Sequence, residues 1–274
     1  MQTAAASLKP EFTSLLREQL DRGISFPAAR QAALEQLGQP ADLLSLPNNI
    51  LAVEYCKAIL SQNSPMLPFP IHRQGSYHAE IADAENPSAT SVRKLMLIAH
   101  NWKSVVPHPA RDLFETAALH DIRAGERAML ARLRTMTEAE FEALPYGSEG
   151  LWRKFMHACR SEATLEAIIA ATKSKRYTRT RIDRMVLCAF LGLTAQDLSA
   201  PAPYTRVLGF TDRGRTVLKE ARKTGTFRNA GEAVATEYGA REQRIGDLYG
   251  LFCTDGPEAP GAETRRRVFY HKES

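Results

Sequence analysis

Residues 173 to 184 read Lys-Ser-Lys-Arg-Tyr-Thr-Arg-Thr-Arg-Ile-Asp-Arg and run directly into an apolar stretch that extends to Leu193. The segment carries six lysines and arginines against one carboxylate, Asp183. If a helix begins near Thr178, apolar side chains fall on one face, and Arg181 and Arg184 fall on the opposite face. The apolar set consists of Ile182, Met185, Val186, Ala189, Phe190 and Leu193. The pattern therefore predicts a helix that buries one side in a core and presents cations on the other.

These cations suit a nucleic-acid partner, because each phosphate contact releases condensed counterions from the nucleic acid. Tyr177 could stack on an unpaired base or offer its hydroxyl. The alternative interpretation is a solvated helix face whose arginines lie along the protein surface. That alternative is disfavoured because the segment itself supplies few carboxylates for pairing. We therefore predict that this segment meets nucleic-acid phosphate.

Composition places the chain among ordinary globular proteins with a modest basic excess. Its 274 residues are 44% hydrophobic and 24% charged, with a formal net charge of +5, which excludes general disorder and fibrous classes. The basic balance favours a polyanionic partner, although many proteins share it. The longest strongly apolar run, residues 185 to 193, is about half of what a bilayer-spanning helix needs. The amino terminus lacks a signal-peptide pattern, so we predict a cytoplasmic protein with no membrane partner.

Self-contained catalytic motifs are absent from the sequence. There is no Gly-x-Gly-x-x-Gly, no Walker loop, no His-Glu-x-x-His and no Gly-x-Ser-x-Gly, so no catalytic residue is identified. The cysteines are widely separated, with no histidine at zinc-ligand spacing. They predict buried free thiols and no metal site. The set is Cys56, Cys159, Cys188 and Cys253.

Periodicity predicts a mostly helical chain with little strand, that is, a mostly α (α+β) class. The extended candidates are Pro65 to Ile71, as an irregular segment or edge strand, and Tyr204 to Phe210. Residues 74 to 88 are predicted to form a mobile loop, and the tail after residue 252 to pack loosely. A domain boundary is placed between residues 99 and 109. Helices are predicted at residues 12–20, 28–37, 50–60, 88–99, 113–120, 126–133, 137–144, 149–159, 164–172, 178–192, 212–223 and 239–252.

Three polar stretches admit either a structural or a ligand-binding interpretation. Asn48 could cap the helix that follows it or bind a nucleobase or ribose. The stretch from Ser88 to Arg93 could be an ordinary cap or an anion site with a clamping arginine. The loop from Arg73 to His78 is either a solvated loop or a ligand-facing one. His78 has no identifiable partner, and a histidine without one is more often a surface or structural residue than a catalytic one.

Six motifs, taken in order along the chain, carry a family resemblance. They are Ser45-Leu-Pro-Asn-Asn-Ile-Leu-Ala52, Arg73-x-Gly-Ser-Tyr-His78, Ser88-Ala-Thr-Ser-Val-Arg93, Glu149-Gly-Leu151, Thr172 to Arg181 and Tyr204-Thr-Arg-Val-Leu-Gly-Phe210. The chain resembles the tRNA(Met) cytidine acetate ligase family nearly from end to end. The resemblance implies an ATP-dependent ligase that activates acetate as acetyl-adenylate and then acetylates N4 of the wobble cytidine of elongator tRNA(Met). It also implies ATP, with Mg²⁺, as cofactor and acetate as co-substrate.

The resemblance also implies which residues form the sites. Residues matching family positions that contact ATP are Asn48, Arg73, Gln74, Ser88, Thr90 and Arg93. The set implied to contact tRNA is Lys173, Lys175, Arg176, Tyr177, Arg179, Arg181 and Arg184. Arg93 would stabilise the triphosphate and the leaving pyrophosphate.

The same resemblance predicts a domain arrangement and one departure from the family. Residues 1–100 would form the C-terminal half of a Rossmann-like nucleotidyltransferase domain, and residues 101–274 a helical RNA-binding domain. The family's first strand and His-x-Gly-His type motif are expected to be absent before Met1. The alternative is therefore a truncated, catalytically inactive tRNA-binding homologue. A helical DNA-binding or scaffold protein is a weaker possibility.

Overall fold

The computed structural model describes residues 1–71, 87–99, 101–174 and 176–272. The described part of the chain is mostly helical and divides into two compact units, Met1–Glu115 and Thr116–Ser274. This division falls a few residues after the predicted boundary. The functions assigned to the two domains remain predictions.

Unit 1 is built from helices that pack around a small apolar core. Prolines begin α2 and α4 and follow the first residue of α3, positions where the missing amide hydrogen is not needed. Its core contains Ala4, Phe12, Ala33, Leu34, Leu44 and Val53. The helices are α1 Gln2–Ala6, α2 Pro10–Asp21, α3 Phe26–Gln36, α4 Pro47–Ser61, α5 Ala89–Lys94 and α6 Arg111–Thr116, the last crossing the unit boundary. Short 3-10 turns occupy Ala41–Ser45, Lys103–Val105 and His108–Ala110.

The start of α4 differs from the prediction. Leu46 occupies the capping position and Pro47 begins the helix, without a side-chain cap. Asn48 therefore lies within the first helical turn, half-buried, and the predicted capping role is wrong. Proline at the first helical position fixes the helix start two residues earlier than capping by Asn48 would, because the cap lies at Leu46.

The segment from Pro65 to Ile71 forms no strand, so the edge-strand alternative is wrong. Pro65, Pro68 and Pro70 provide no amide donors for a ladder. The segment is irregular, and Phe69 is 88% exposed. Strands are absent from the described residues of unit 1, where the prediction placed half of a Rossmann-like domain. The predicted mobile loop at residues 74–88 lies, except for its last two residues, outside the described residues.

The helix predicted from residue 88 is confirmed and changes character along its length. It begins as α5 and continues as a π-helical turn over Leu95–Ala99. Met96 packs with Trp102 and Val106 in a second small cluster. Val92 and Leu95 cover this cluster. Met96 is thus buried within unit 1, and Val92 and Leu95 are partly buried beside it.

Unit 2 contains the larger core, to which the predicted apolar face at residues 182–193 contributes. The prediction for residues 113–120 is too long, because α6 ends at Thr116. Thr137 and Glu140 form a capping box at the start of α8. The hydrogen bond from the Thr137 amide to the Glu140 carboxylate, with those from Arg132 and the Thr137 hydroxyl, lowers the pKa of Glu140 to about 2. The helices are α7 Glu126–Thr135, α8 Glu138–Glu142, α9 Leu151–Ser161, α10 Leu165–Thr172, α11 Arg179–Leu191, α12 Ala195–Ser199, α13 Asp212–Ala221, α14 Ala230–Val234, α15 Glu237–Tyr249 and α16 Ala262–Arg265. A 3-10 turn at Gly250–Phe252 follows α15.

Two short parallel pairs supply the strands of unit 2. β1 Thr205–Arg206 pairs with β3 Phe227–Arg228, and β2 Gly209–Thr211 pairs with β4 Phe269–His271. The predicted strand at Tyr204 to Phe210 is therefore divided between two pairs. The prediction of a loosely packed tail is wrong for β4, which pairs with β2. The sequence did not reveal this pairing, because the two strands are distant from each other along the chain.

The cysteines match the prediction of free thiols. Cys159, Cys188 and Cys253 are buried, and Cys56 is half-buried. Burial raises the pKa of the Cys159 thiol to about 12 and raises the pKa of the Cys188 thiol as well. These thiols are therefore protonated and unreactive at neutral pH. Within the described residues, no helix combines the length and apolarity that crossing a membrane requires.

Gly239 marks a close approach between α15 and the end of α14. A Cβ atom at this position would lie 1.9 Å from the Ala233 carbonyl oxygen and 2.3 Å from its carbonyl carbon. Backbone atoms cannot move aside as a flexible side chain can. We expect Gly239→Ala to lower the free energy of unfolding by at least about 2 kcal/mol and to lower Tm by roughly 4 to 8 °C.

The matched control is Gly246→Ala on the same helix. A Cβ at Gly246 would lie 3.4 Å from the Glu263 Cβ, an ordinary contact. Alanine is also the better helix former, so the Gly246 variant should melt at or above the parent temperature. Thermal unfolding followed by circular dichroism measures both. Equal melting temperatures for the two variants would contradict the predicted packing.

Candidate nucleic-acid interface

The basic segment is positioned by α11. Thr178 precedes the helix as its N-cap residue, and Gly192 ends it in the left-handed conformation at φ 69°. Ile182, Met185 and Val186 are fully buried in the core of unit 2. The buried face fixes the helix, so side chains on the other faces are held in defined positions. The predicted amphipathic helix is confirmed.

Arg181 does not project freely from α11 as predicted. Its Nε donates to the Tyr146 carbonyl oxygen at 2.8 Å, and its Nη2 donates to the Ser148 Oγ at 2.9 Å. Tyr146 and Glu149 both have positive φ, at 65° and 61°, a conformation that costs energy for residues other than glycine. Arg181 therefore holds a strained turn over residues 145–150, which covers this side of the helix.

Tyr177 lies in the same turn region, half-buried. Its hydroxyl donates to the Glu149 carbonyl oxygen at 3.3 Å, and the Glu149 Oε2 lies 3.4 Å away. The guanidinium groups of Arg181 and Arg176 lie 5.1 Å and 5.9 Å from the ring centre. Arg176 also pairs with the Glu149 Oε1 at 2.9 Å. Tyr177 is thus already occupied by protein partners on its ring and its hydroxyl.

Arg179 is likewise paired within the protein. Its Nη1 and Nη2 donate to the two carboxylate oxygens of Glu166 at 2.5 Å and 2.6 Å. This bidentate pair lowers the pKa of Glu166. Asp183 lies 3.8 Å from Arg179, but burial raises the pKa of Asp183 despite that cation. The expectation that the segment has few carboxylates to pair with is therefore wrong, because Glu149 and Glu166 from elsewhere in the chain pair with its arginines.

Exposed cations without a carboxylate partner also lie in and around the basic segment, among the residues that the structure describes. No carboxylate among the described residues lies within ion-pair distance of Lys154, Lys173 or Arg184, and all three are exposed. Lys154 Nζ donates to the Lys173 carbonyl oxygen at 3.1 Å, which joins α9 to the basic segment. The Arg184 guanidinium lies 6.0 Å from the ring centre of Tyr146, which is 39% exposed. We call Lys154, Lys173, Arg184 and Tyr146 the basic surface.

Lys154 and Tyr146 were missed by the sequence interpretation. Lys154 stands on the exposed face of α9, whose opposite face buries Trp152, Phe155 and Cys159. The same periodicity that identified α11 could have placed Lys154 on an exposed face. Tyr146 had no comparable signal, because its position depends on the bonds from Arg181. Lys175, also predicted to contact RNA, lies outside the described residues.

Among the residues predicted to contact ATP, Asn48 lies on α4, Thr90 and Arg93 lie on α5, and Ser88 is the N-cap residue of α5. Ser88 is 1% exposed, and its side chain accepts a hydrogen bond from the Ser91 amide at 3.0 Å. Thr90 and Arg93 lie one turn apart on α5 and are both exposed. The cap interpretation of Ser88 is therefore confirmed, while the role of the other residues stays a prediction. Arg73, Gln74 and His78 lie outside the described residues.

The fold matches two crystal structures of Thermotoga maritima TmcAL. The apo form I crystal structure of Thermotoga maritima TmcAL superposes with a TM-score of 0.83 at 21% sequence identity, over 99% of this chain and 74% of that chain. The form II structure of the same protein, bound with alpha-thio ATP, gives a TM-score of 0.80 at 21% identity, over 99% and 73%. The chain therefore has a mostly helical, TmcAL-like fold.

A family model described as HIGH Nucleotidyl Transferase matches residues 1–253, and the chain belongs to this family. It is similar to proteins named tRNA(Met) cytidine acetate ligase. The relative from Clostridium novyi is 32% identical over 232 residues, and the relative from Clostridium acetobutylicum is 30% identical over 235 residues. Each match covers 79% of this chain and 58% of the relative, so the chain spans little more than half of their length. These matches do not support the predicted absence of a leading segment.

Proposed function

We propose that the protein acts as a tRNA(Met) cytidine acetate ligase. In the first step an acetate oxygen attacks the α-phosphorus of ATP, acetyl-adenylate forms and pyrophosphate leaves. In the second step the N4 amine of the wobble cytidine of elongator tRNA(Met) attacks the acetyl carbonyl, and AMP leaves. The names of the relatives at about 30% identity support this reaction. Neither step requires a covalent bond to the protein.

The basic surface is the observation that most supports RNA as a substrate in this proposal. Lys154 on α9 donates to the Lys173 carbonyl oxygen, and Arg184 on α11 lies beside Tyr146, in the turn that Arg181 of the same helix holds. Exposed cations without carboxylate partners can release counterions from a phosphate backbone at little cost in lost ion pairs. The exposed ring of Tyr146 beside Arg184 adds a surface on which a base could stack. A folded RNA offers both phosphates and unpaired bases.

Two observations support ATP as the other substrate in this proposal. One is the set of residues on α5, and the other is the alpha-thio ATP bound to the TmcAL of Thermotoga maritima. Thr90 and Arg93 are exposed on neighbouring turns, so a hydroxyl and a guanidinium are available to phosphate oxygens. Asn48 would contribute its amide from α4. Arg73 and Gln74 complete the proposed set. Negative charge grows on the leaving pyrophosphate, which is where a fixed guanidinium lowers the barrier.

Mg²⁺ would accompany the nucleotide in this proposal. Within the described residues, no group of three or more histidine, cysteine, aspartate or glutamate side chains is placed to hold a metal ion. Mg²⁺ commonly binds through substrate phosphates with few protein ligands. The described residues therefore do not form a metal site by themselves, and neither proposed step depends on a metal ion held by protein side chains.

The test is acetylation by the 274-residue chain in vitro. We expect labelled acetate to appear in elongator tRNA(Met) only when ATP is present, and N4-acetylcytidine to appear on nucleoside analysis by mass spectrometry. A tRNA(Met) transcript with uridine at the wobble position is the matched control and should remain unlabelled. Binding of tRNA without acetate-dependent pyrophosphate release would instead support an inactive tRNA-binding homologue. Stronger binding of duplex DNA than of tRNA would contradict both functions.

A further inference from the structure

The ribbon formed by β2 and β4 brings aromatic side chains together at the surface of unit 2. Gly209, Phe210 and Thr211 pair with Phe269, Tyr270 and His271 in parallel register. The Phe269 amide donates to the Leu208 carbonyl oxygen at 2.9 Å. A Cβ at Gly209 would lie 2.9 Å from the Phe269 carbonyl oxygen, so glycine permits this close pairing. The ribbon is therefore a defined element rather than a frayed tail.

One face of the ribbon is organised by α13. The rings of Phe210 and Tyr270 are 5.4 Å apart, and the Arg215 guanidinium lies 5.0 Å from the Tyr270 ring centre. The Tyr270 hydroxyl donates to the Asp212 Oδ1 at 2.5 Å. These contacts fix β4 against the helix. Arg215 remains exposed at the edge of the aromatic pair.

The other face carries an aromatic ring that the protein does not cover. Residues alternate across a strand, so Phe269 and His271 share the face opposite to Tyr270. Their rings are nearly parallel, at 16°, with centroids 6.4 Å apart. Phe269 is 68% exposed. A flat ring held by a paired strand loses little conformational freedom when another ring stacks on it.

The surroundings of the ribbon are strongly basic. Residues 212–223 contain five lysines and arginines and two carboxylates, and residues 264–272 contain four lysines and arginines and no carboxylate. Arg267 and Lys272 are exposed near the two ends of β4. This excess of positive charge complements a phosphate backbone and disfavours an apolar or basic partner. Aromatic rings combined with cations are the usual means of binding unpaired nucleotides.

We infer that the β2–β4 ribbon binds an unpaired stretch of RNA, with Phe269 stacking on a base and Arg267 and Lys272, near the two ends of β4, contacting phosphates. The inference rests on the proposed function, in which RNA is the substrate, and adds a second RNA contact separate from the basic surface. Stacking on a phenyl ring accepts every base, so the contact should depend on single-strandedness more than on sequence.

The test uses the full chain and a labelled oligouridine of about ten nucleotides, within the range of known single-strand sites, followed by fluorescence anisotropy. We expect Phe269→Ala and Phe269→Leu each to weaken binding about tenfold, since each base stacked on an aromatic ring contributes substantially to affinity. Leucine keeps the apolar bulk but removes the flat ring. Leu208→Ala is the matched control, because Leu208 is 70% exposed beside the same ribbon. It should change affinity less than about twofold, below the effect of one stacked base.

Two further ligands separate the possible binding modes. An abasic oligonucleotide with the same backbone should bind the parent chain and the Phe269 variants with equal affinity. The affinity for an RNA duplex should likewise not change when Phe269 is replaced. The inference is overturned if Phe269→Ala leaves oligouridine affinity unchanged, or if the abasic strand or the duplex loses as much affinity as oligouridine. Acetylation of tRNA with no effect of Phe269 would refute the ribbon contact alone. Ring-dependent RNA binding without acetylation would refute the ligase function alone.

Discussion

Replacing Lys154, Lys173 and Arg184 together by alanine is expected to weaken the binding of tRNA(Met) about 100-fold at 0.1 M salt and to flatten the dependence of log K on log salt by about 2 to 3. Each of these cations would neutralise one phosphate, and each such contact contributes roughly 0.7 to 0.9 to the slope. Titrations at several salt concentrations measure both quantities. An unchanged slope would remove the basic surface from the RNA-binding site.

The matched control removes the same charge elsewhere. Lys9, Arg17 and Arg22 are exposed cations of unit 1, and their joint replacement by alanine lowers the net charge equally. If binding depends on the basic surface, this control should lose much less affinity than the first variant. Equal losses would indicate a long-range effect of net charge instead.

Arg181 is left out of this variant for a structural reason. Its side chain holds the turn at Tyr146 and Ser148, so Arg181→Ala removes two hydrogen bonds from a strained backbone. We expect a loss of about 1 to 3 kcal/mol in the free energy of unfolding. Any loss of RNA affinity in that variant would combine a missing cation with a displaced turn. Lys173 and Arg184 make no such bonds to the turn through their side chains, and Lys154 contributes a single exposed hydrogen bond, to the Lys173 carbonyl oxygen.

The helical framework could be predicted from the sequence because its signals are local. The apolar face of α11 follows from spacing alone, and the Thr137 capping box follows from residues three apart. Thr164 and Thr211 likewise accept hydrogen bonds at the starts of α10 and α13. Each of these features is decided within one or two helical turns.

The candidate site could be predicted only in part because its pairing is not local. The sequence showed cations in the basic segment but not that Glu149 and Glu166 would meet Arg176 and Arg179. Glu149 lies in the turn before α9 and Glu166 lies on α10, so tertiary packing brings both carboxylates to the arginines. Periodicity reports which face is buried, not which partner covers it. The prediction therefore assigned phosphate contacts to arginines that the protein already pairs.

The strand pairs could not be predicted from the sequence for the same reason. The partner of Phe210 is Tyr270, sixty residues further along the chain. Neither strand is long enough to give an alternating pattern of its own, and three-residue strands are stable only through their neighbours. The ribbon therefore became visible only in the structure, together with the exposed ring of Phe269.

The second large effect is expected at α5. Arg93→Ala should reduce acetate-dependent pyrophosphate release at least about 100-fold, because a fixed cation facing the phosphates acts where negative charge grows in the transition state. It should leave tRNA affinity unchanged, since the basic surface lies in unit 2. A coupled pyrophosphate assay measures the first quantity, and a salt titration with tRNA(Met) measures the second.

Lys94→Ala provides the control for Arg93, because Lys94 is the adjacent exposed cation on the same helix. The two side chains point in different directions around α5, since successive helical residues are rotated by about 100°. Only one of them can face a nucleotide that binds beside Thr90, which lies one turn before Arg93. If Lys94→Ala reduces pyrophosphate release as strongly as Arg93→Ala, the effect reflects the total charge of the helix. If neither variant changes it, the nucleotide binds away from α5, and the assignment of Thr90 and Arg93 to the ATP site is wrong.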